Sequence, residues 1–296
     1  MPVGVLEWGL DVIRWLQQAS PALDAPFRAL TALGSVAFAA ALLAVLYWAV
    51  DRRAALELAG LYLLSSLLNA GLKALLQQPR PADLHAGVAI LAHAGGYGLP
   101  SGHTQATVVL WGYIAMRWSR RGLWCLYGAL LLLVPLSRVY LAAHFPTDLL
   151  GGYVAGALVL AGYALVRNGR AARSSQRRLT LPIALLVLLV LLPGLALYAA
   201  EALTAAVFGA GLLAGYTIER RRVRFADATT ASERLQRALY GLGVAGLLGA
   251  ISLALPTAGV ASVGRLLLYA TIGLWVTWGA PALFVRLRSA PRCTTP

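Results

Sequence analysis

Lysine is nearly missing from this chain: of 25 Lys and Arg residues, only Lys73 is a lysine. Acidic residues are also scarce, 11 in 296 residues, and all charged residues together make up 12%. A soluble domain carries about a quarter charged residues, so that class is excluded. Cysteine is limited to Cys125, inside an apolar run, and Cys293 in the tail. Two isolated positions give no disulfide framework and no metal-ligand spacing. The first residues lack a basic segment followed by a short apolar core, so the first span is expected to act as an uncleaved signal.

What is abundant is apolar sequence. Hydrophobic residues reach 59% and the mean hydropathy is +0.72, the range of a polytopic membrane protein. The net charge of +14 is carried by Arg. In such a protein excess Arg belongs on cytoplasmic loops, so no nucleic-acid partner is expected.

The pattern predicts an all-α, polytopic membrane helical bundle of about nine spans, preceded by an interfacial amphipathic helix. Residues 3–18 place Glu7, Asp11, Arg14 and Gln18 on one stripe at helical spacing, opposite Val5, Leu6, Trp8, Val12, Ile13 and Leu16. That helix is too short and too charged to span, and it reads as lying in the membrane interface over segment 1–25. Spans are expected at 28–50, 54–76, 102–117, 122–137 and 147–166, forming a five-span unit over 26–166. A basic loop, 167–178, follows. Segment 179–296 then holds spans at 179–199, 201–218, 238–256 and 262–285, with the pair in 179–218 open to a bent or re-entrant reading. The Arg-rich segments 51–53, 117–121, 167–178, 219–237 and 286–292 all fall on one side of this topology. That side is the cytoplasm, which puts the loops 77–100 and 138–147 on the outer, periplasmic face of a plasma membrane.

Those two outer loops break the charge trend. The stretch Ser137-Arg138-x5-His144-x3-Asp148 sets three ionisable groups at the end of apolar runs, where each is costly unless paired or wet. Two further clusters sit at outer ends of spans: Lys73-x6-Arg80-Pro81, and Pro100-Ser101-Gly102-His103 opening a helix. Lys73, Arg80 and Arg138 supply positive charge, Ser101 a hydroxyl, and the amides of Gly102 and His103 a helix N-terminus suited to anions. Arg forks match phosphate geometry and Lys acts as a point charge, so the set points to a phosphoryl group rather than an acyl group. His144 and Asp148 are one helical turn apart, so the carboxylate can hold Nδ1–H and leave Nε2 as a nucleophile. His103 is placed to protonate a leaving oxygen and then to activate water. His85 and His93 read as outer-loop residues rather than metal ligands. Glu201 and Arg265 read as span-boundary residues.

Together these three clusters resemble the full signature of the type 2 phosphatidic acid phosphatase superfamily, with every motif position matched over roughly residues 26–166. The resemblance implies a helical core with its active site at the membrane surface and catalysis that uses no metal or other cofactor. It implies a phosphohistidine on His144, oriented by Asp148, with His103 as acid and base. It implies that Lys73, Arg80, Ser101, Gly102 and Arg138 bind the phosphate. The expected function is thus an integral membrane lipid phosphatase. Its first-choice substrate is a polyprenyl diphosphate, as in the bacterial undecaprenyl pyrophosphate phosphatases to which the five-span core is similar. Phosphatidate and phosphatidylglycerol phosphate come second. Phosphotransfer to another lipid through the same site remains an alternative, as does a flippase or scramblase role for 179–296. Those C-terminal spans are also a candidate homodimer surface.

Overall fold

The structure, a computed structural model, describes residues 3–84, 87–169, 199–255 and 260–289, and among these every regular element is helical. Nearly all of the basic segment 167–178, the span expected at 179–199, and His85 lie outside the described residues. Five described helices are long and apolar enough to cross a membrane, or six if one bent pair counts as a single span. The chain is a multi-pass membrane protein. It divides into two compact units: residues 1–40 with 57–198, and residues 41–56 with 199–296.

In the first unit, helix α1 (Val3–Gln17) presents Leu10 and Ile13 to Val139, Ala142 and Phe145. Its polar stripe carries an exposed pair, Arg14 to Asp11 at 2.7 Å. Helix α2 (Asp24–Ala32) packs on α6 (Arg121–Tyr140) through Phe27 and Tyr140, and Asp24 accepts from the Tyr140 hydroxyl at 2.6 Å. The first span expected as one helix over 28–50 is instead broken. α2 and α3 (Val36–Val45) meet at a 50° bend around Leu33–Ser35. The amides of Gly34 and Ser35 close the end of α2 by donating to the carbonyls of Thr31 at 3.1 Å and Ala32 at 3.0 Å, and Ser35 then starts α3 by accepting from the amide of Phe38 at 3.2 Å.

Helix α4 runs from Arg52 to Leu76. Its first unit-one residue, Glu57, accepts from the hydroxyls of Tyr113 at 3.0 Å and Tyr163 at 3.2 Å. Helix α5 (Gly102–Trp118) is the buried centre of this unit and packs on both α6 and α7 (Pro146–Gly169). Close approach of α5 and α7 depends on Gly152 and Gly156, spaced four apart. A Cβ on Gly152 would lie 2.7 Å from the Ser101 carbonyl, and one on Gly156 would lie 2.7 Å from Val108 Cβ. Small residues one turn apart are how helices gain van der Waals contact in lipid, where no hydrophobic force draws them together.

The second unit is built from the α3 end, where a π turn (Leu46–Val50) leads into Asp51, and from α8 (Ala199–Ile218), α9 (Ala231–Ala254), α10 (Val260–Leu274) and α11 (Ala280–Ser289). Trp48 is buried at its centre, donating from Nε1 to the Val276 carbonyl at 2.7 Å while its own carbonyl accepts from Arg237 at 2.8 Å. Glu219 is fully buried and is paired with Arg52 at 2.7 Å. Arg52 in turn lies over the Phe225 ring at 4.3 Å.

Candidate active site

All eight residues singled out from the sequence fall in the first unit, at the ends of α4, α5, α6 and α7 and in the loops between them. The connection from α6 to α7 is the pivot. The Arg138 carbonyl accepts from the amides of Ala143 at 3.0 Å and His144 at 3.3 Å, so the chain folds back at the end of α6. Pro146 then opens α7, a position where its missing N–H costs nothing. This turn brings His144 Nδ1 to 3.0 Å from Asp148 Oδ2, with both side chains buried. The same carboxylate oxygen accepts from the Phe145 amide at 3.0 Å.

His144 Nε2 lies 3.2 Å from Arg80 Nη1. A guanidinium only donates, so Nε2 carries the lone pair and Nδ1 carries the proton given to Asp148. Burial, and then the positive charge of Arg80, Lys73 and Arg138, hold the imidazole well below its ordinary pKa. The ring is therefore neutral, with its free nitrogen facing the cations.

The remaining donors of Arg80 are satisfied by the backbone. Nε donates to Gly96 O at 2.7 Å, Nη2 to Gly95 O at 3.0 Å, and Nη1 to Ala143 O at 2.7 Å. Lys73, in the last turn of α4, donates to the carbonyls of Tyr97 and Gly98. Four consecutive carbonyls, Gly95 to Gly98, thus sit on the two cations. Gly98 must lack a side chain here: a Cβ would lie 2.8 Å from Asp148 Oδ2.

Ser101 is fully buried and caps α5, its hydroxyl accepting from the Thr104 amide at 3.4 Å, while its own amide donates to the Asp148 carbonyl at 2.8 Å. Gly102 and His103 form the first turn of α5, and Gly34, at the break between α2 and α3, lies against the backbone and Cβ of His103. Arg138 donates from Nη1 to Thr31 Oγ1 at 2.9 Å. Its Nε is buried and has no hydrogen-bond partner among the described residues. A buried cationic donor left open is costly unless a ligand fills it, and an anion is the natural one.

Several residues at the site carry no motif signal. Gln78 donates to Asp148 Oδ1 at 2.6 Å. Asn69 bonds the Pro100 carbonyl at 3.2 Å and Gln105 Oε1 at 2.8 Å, while Gln105 reaches Ser65, tying the start of α5 to α4. Gln17 of α1 donates to the carbonyls of Ala89 at 2.7 Å and Tyr140 at 2.9 Å, pinning the outer loop to α6. His93 is exposed on that loop.

Residues 54–172 match the PAP2 superfamily, and residues 203–292 match the transmembrane extension of PAP2 superfamily phosphatases. The chain carries a PAP2 superfamily domain followed by that transmembrane extension. It is 30% identical over 171 residues to lipid phosphate phosphatase delta of Arabidopsis thaliana, covering 51% of this chain and 40% of that protein. It is 32% identical over 102 residues to phosphatidylglycerophosphatase B of Bacillus subtilis, covering 31% of this chain and 48% of that protein. The chain thus spans less than half the length of either curated relative. Among solved structures, it resembles a transmembrane PAP2-type phosphatidylglycerolphosphate phosphatase from Bacillus subtilis, with TM-score 0.47 and 23% identity over 60% of this chain and 90% of that one.

Proposed function

We propose that this PAP2 domain is an integral membrane lipid phosphatase that releases phosphate from a lipid phosphate or diphosphate. The observation that carries the reading is a neutral, buried His144 whose Nδ1–H faces Asp148 and whose Nε2 faces Arg80, with Lys73 and Arg138 among the charges around it. A phosphoryl group entering this space replaces the Gly95–Gly98 carbonyls on Lys73 and Arg80 and fills the open Nε of Arg138. The amides that open α5 add a helix N-terminus to its oxygens.

Nε2 then attacks phosphorus, the P–O bond to the lipid breaks, and His103 gives its proton to the departing oxygen. Asp148 stabilises the positive charge that grows on the imidazole. In the second half His103 takes a proton from water, water attacks phosphorus, and the P–N bond breaks to release inorganic phosphate. Positioning and charge carry most of the catalysis, as phosphoryl transfer requires. Residues 26–166 are the catalytic core in this reading, and the site opens to the outer face. The preferred substrate is a polyprenyl diphosphate, followed by phosphatidate and phosphatidylglycerol phosphate.

The test is phosphate release from those three lipids by detergent-purified protein in EDTA, with His144→Ala as control. Release that disappears in the variant supports the reading. No release from any lipid, or release unchanged by the substitution, overturns it.

A further inference from the structure

We infer that Gln78 is a positioning residue that fixes the Asp148 carboxylate behind His144. This rests on the phosphatase reading above. The two oxygens of Asp148 are held differently. Oδ2 accepts from His144 Nδ1 at 3.0 Å and from the Phe145 amide at 3.0 Å, both supplied by the same turn of chain. Oδ1 accepts from Gln78 Nε2 at 2.6 Å, and that donor comes from a segment 70 residues earlier. Held at Oδ2 alone, the carboxylate is free to rotate about its own axis, and the imidazole it orients moves with it. A donor on Oδ1 removes that freedom.

The amide is not there to serve itself. Gln78 is buried, and its Oε1 has no hydrogen-bond partner among the described residues. A buried acceptor left open is unfavourable, so a side chain serving only packing would be apolar here. The assignment of Nε2 to Asp148 follows from the network, because an ionised carboxylate only accepts. The neighbouring cations are otherwise engaged: Lys73 on the carbonyls of Tyr97 and Gly98, Arg80 on those of Gly95, Gly96 and Ala143 and on His144 Nε2. The backbone of Gln78 has a separate task, accepting from the Gly98 amide at 2.8 Å, which any residue performs.

The charged and titratable groups facing Asp148 and His144 are Lys73 of α4, Arg80 of the following loop, His103 of α5 and Arg138 of α6. Gln78 Nε2 also lies 3.5 Å from Thr147 Oγ1, but its 2.6 Å bond goes to Asp148 Oδ1, and that bond is stronger to the ionised carboxylate than to the neutral acid. Its removal makes Asp148 easier to protonate, so the acid limb of activity moves to higher pH.

Three variants test this, assayed for lipid phosphate release beside wild type and His144→Ala. Gln78→Leu keeps the volume and loses the donor. Its expected effect is a fall in kcat of about 10- to 100-fold, little change in KM, and an acid limb of kcat/KM about one pH unit higher. Gln78→Ala does the same with a cavity added. Gln78→Glu discriminates most sharply. When protonated its O–H donates to Asp148 Oδ1 and replaces the amide, so activity recovers at acid pH and is lost as pH rises and two carboxylates meet. That recovery is read within one preparation, so it serves as its own control for folding.

Gln78→Leu with wild-type kcat and acid limb, or a monodisperse Gln78→Glu that is equally impaired at every pH, overturns the inference. If wild type itself releases no phosphate, the underlying reading has failed instead. If wild type is active and depends on His144 while the Gln78 variants keep its pH profile, only the role of Gln78 has failed.

Discussion

Arg80 Nη1 lies 3.2 Å from His144 Nε2, on the nitrogen that would attack phosphorus. The same guanidinium is held by the carbonyls of Gly95 and Gly96, and Lys73 by those of Tyr97 and Gly98. The 95–98 segment therefore occupies, with backbone oxygens, the donors that phosphate oxygens would take. Close packing of this segment on the carboxylate gives a first prediction. In Gly98→Ala the new Cβ stands 2.8 Å from Asp148 Oδ2 and 3.2 Å from the Pro79 carbonyl. Neither oxygen is free to give way, since the carboxylate is held at both ends. The expected outcome is a kcat about 10- to 100-fold lower in a protein that elutes from gel filtration like wild type; unchanged kcat would show that the segment stands further from Asp148.

Lys73 carries a second prediction. Its ammonium is buried between two carbonyls at the end of α4. A guanidinium is planar and larger, and it cannot act as a compact point charge in that space. Lys73→Arg is expected to lower kcat/KM by about 100-fold, about 2.7 kcal/mol of transition-state stabilisation. Steady-state kinetics on one lipid phosphate decides this, and a loss under threefold contradicts it.

The pH dependence follows from His144. Burial, and then Arg80, hold its pKa well below the ordinary value of about 6.5. A depressed value means the free enzyme keeps the nucleophile neutral as pH falls through 6.5, and loses it only further down. Corrected for the second ionisation of the substrate phosphate, kcat/KM should therefore show no limb near pH 6.5 that belongs to His144. The same shift affects stability. Below about 6.5 the unfolded chain binds a proton that the folded site refuses, so stability falls with pH by up to about 1.4 kcal/mol per unit. A kcat/KM limb with its midpoint at 6.5 that is traced to His144 contradicts this account.

In the second unit, Glu219 is fully buried with Arg52 at 2.7 Å and the Phe225 amide at 3.1 Å as partners. Removing one member of such a pair leaves a buried charge, at a cost of about 3–5 kcal/mol, whereas removing both is often near neutral. Arg52→Met is expected to melt markedly earlier than wild type in detergent. The double variant Arg52→Met/Glu219→Leu should recover most of the loss. A double variant as unstable as the single one contradicts a pairwise role.

Much of the site was legible because its chemistry is concentrated in a few unusual residues. A lone Lys73, and Arg, His and Asp at the ends of apolar runs, stand out in a chain with 12% charge. His144 and Asp148 do meet at 3.0 Å, but not as neighbours on one helix: His144 lies in the turn before α7, and Asp148 in the first turn of α7 reaches back to it and to the Phe145 amide. Gln78 was not legible. It adjoins Gln77, and nothing local separates them, yet Gln78 is buried on Asp148 while Gln77 is exposed with φ +46°. Only the pairing of segments near 78 and 98 makes that distinction. The break at Leu33–Ser35 was hidden for a similar reason. Apolar residues continue on both sides, so hydropathy reads one span, and Gly34-Ser35 was the sole local sign of a bend. Thr31, on Arg138, is visible only once the bend is known.

The central claim is that His144 Nε2 takes the phosphoryl group. Rapid acid-free quenching of the enzyme during turnover of a lipid labelled in its terminal phosphate, followed by peptide mapping, tests it directly. The account predicts an acid-labile, alkali-stable label on the peptide holding His144, formed and discharged at rates compatible with turnover and missing from His144→Ala. Full turnover with no label on His144, or an equal label on another residue in both proteins, would contradict it.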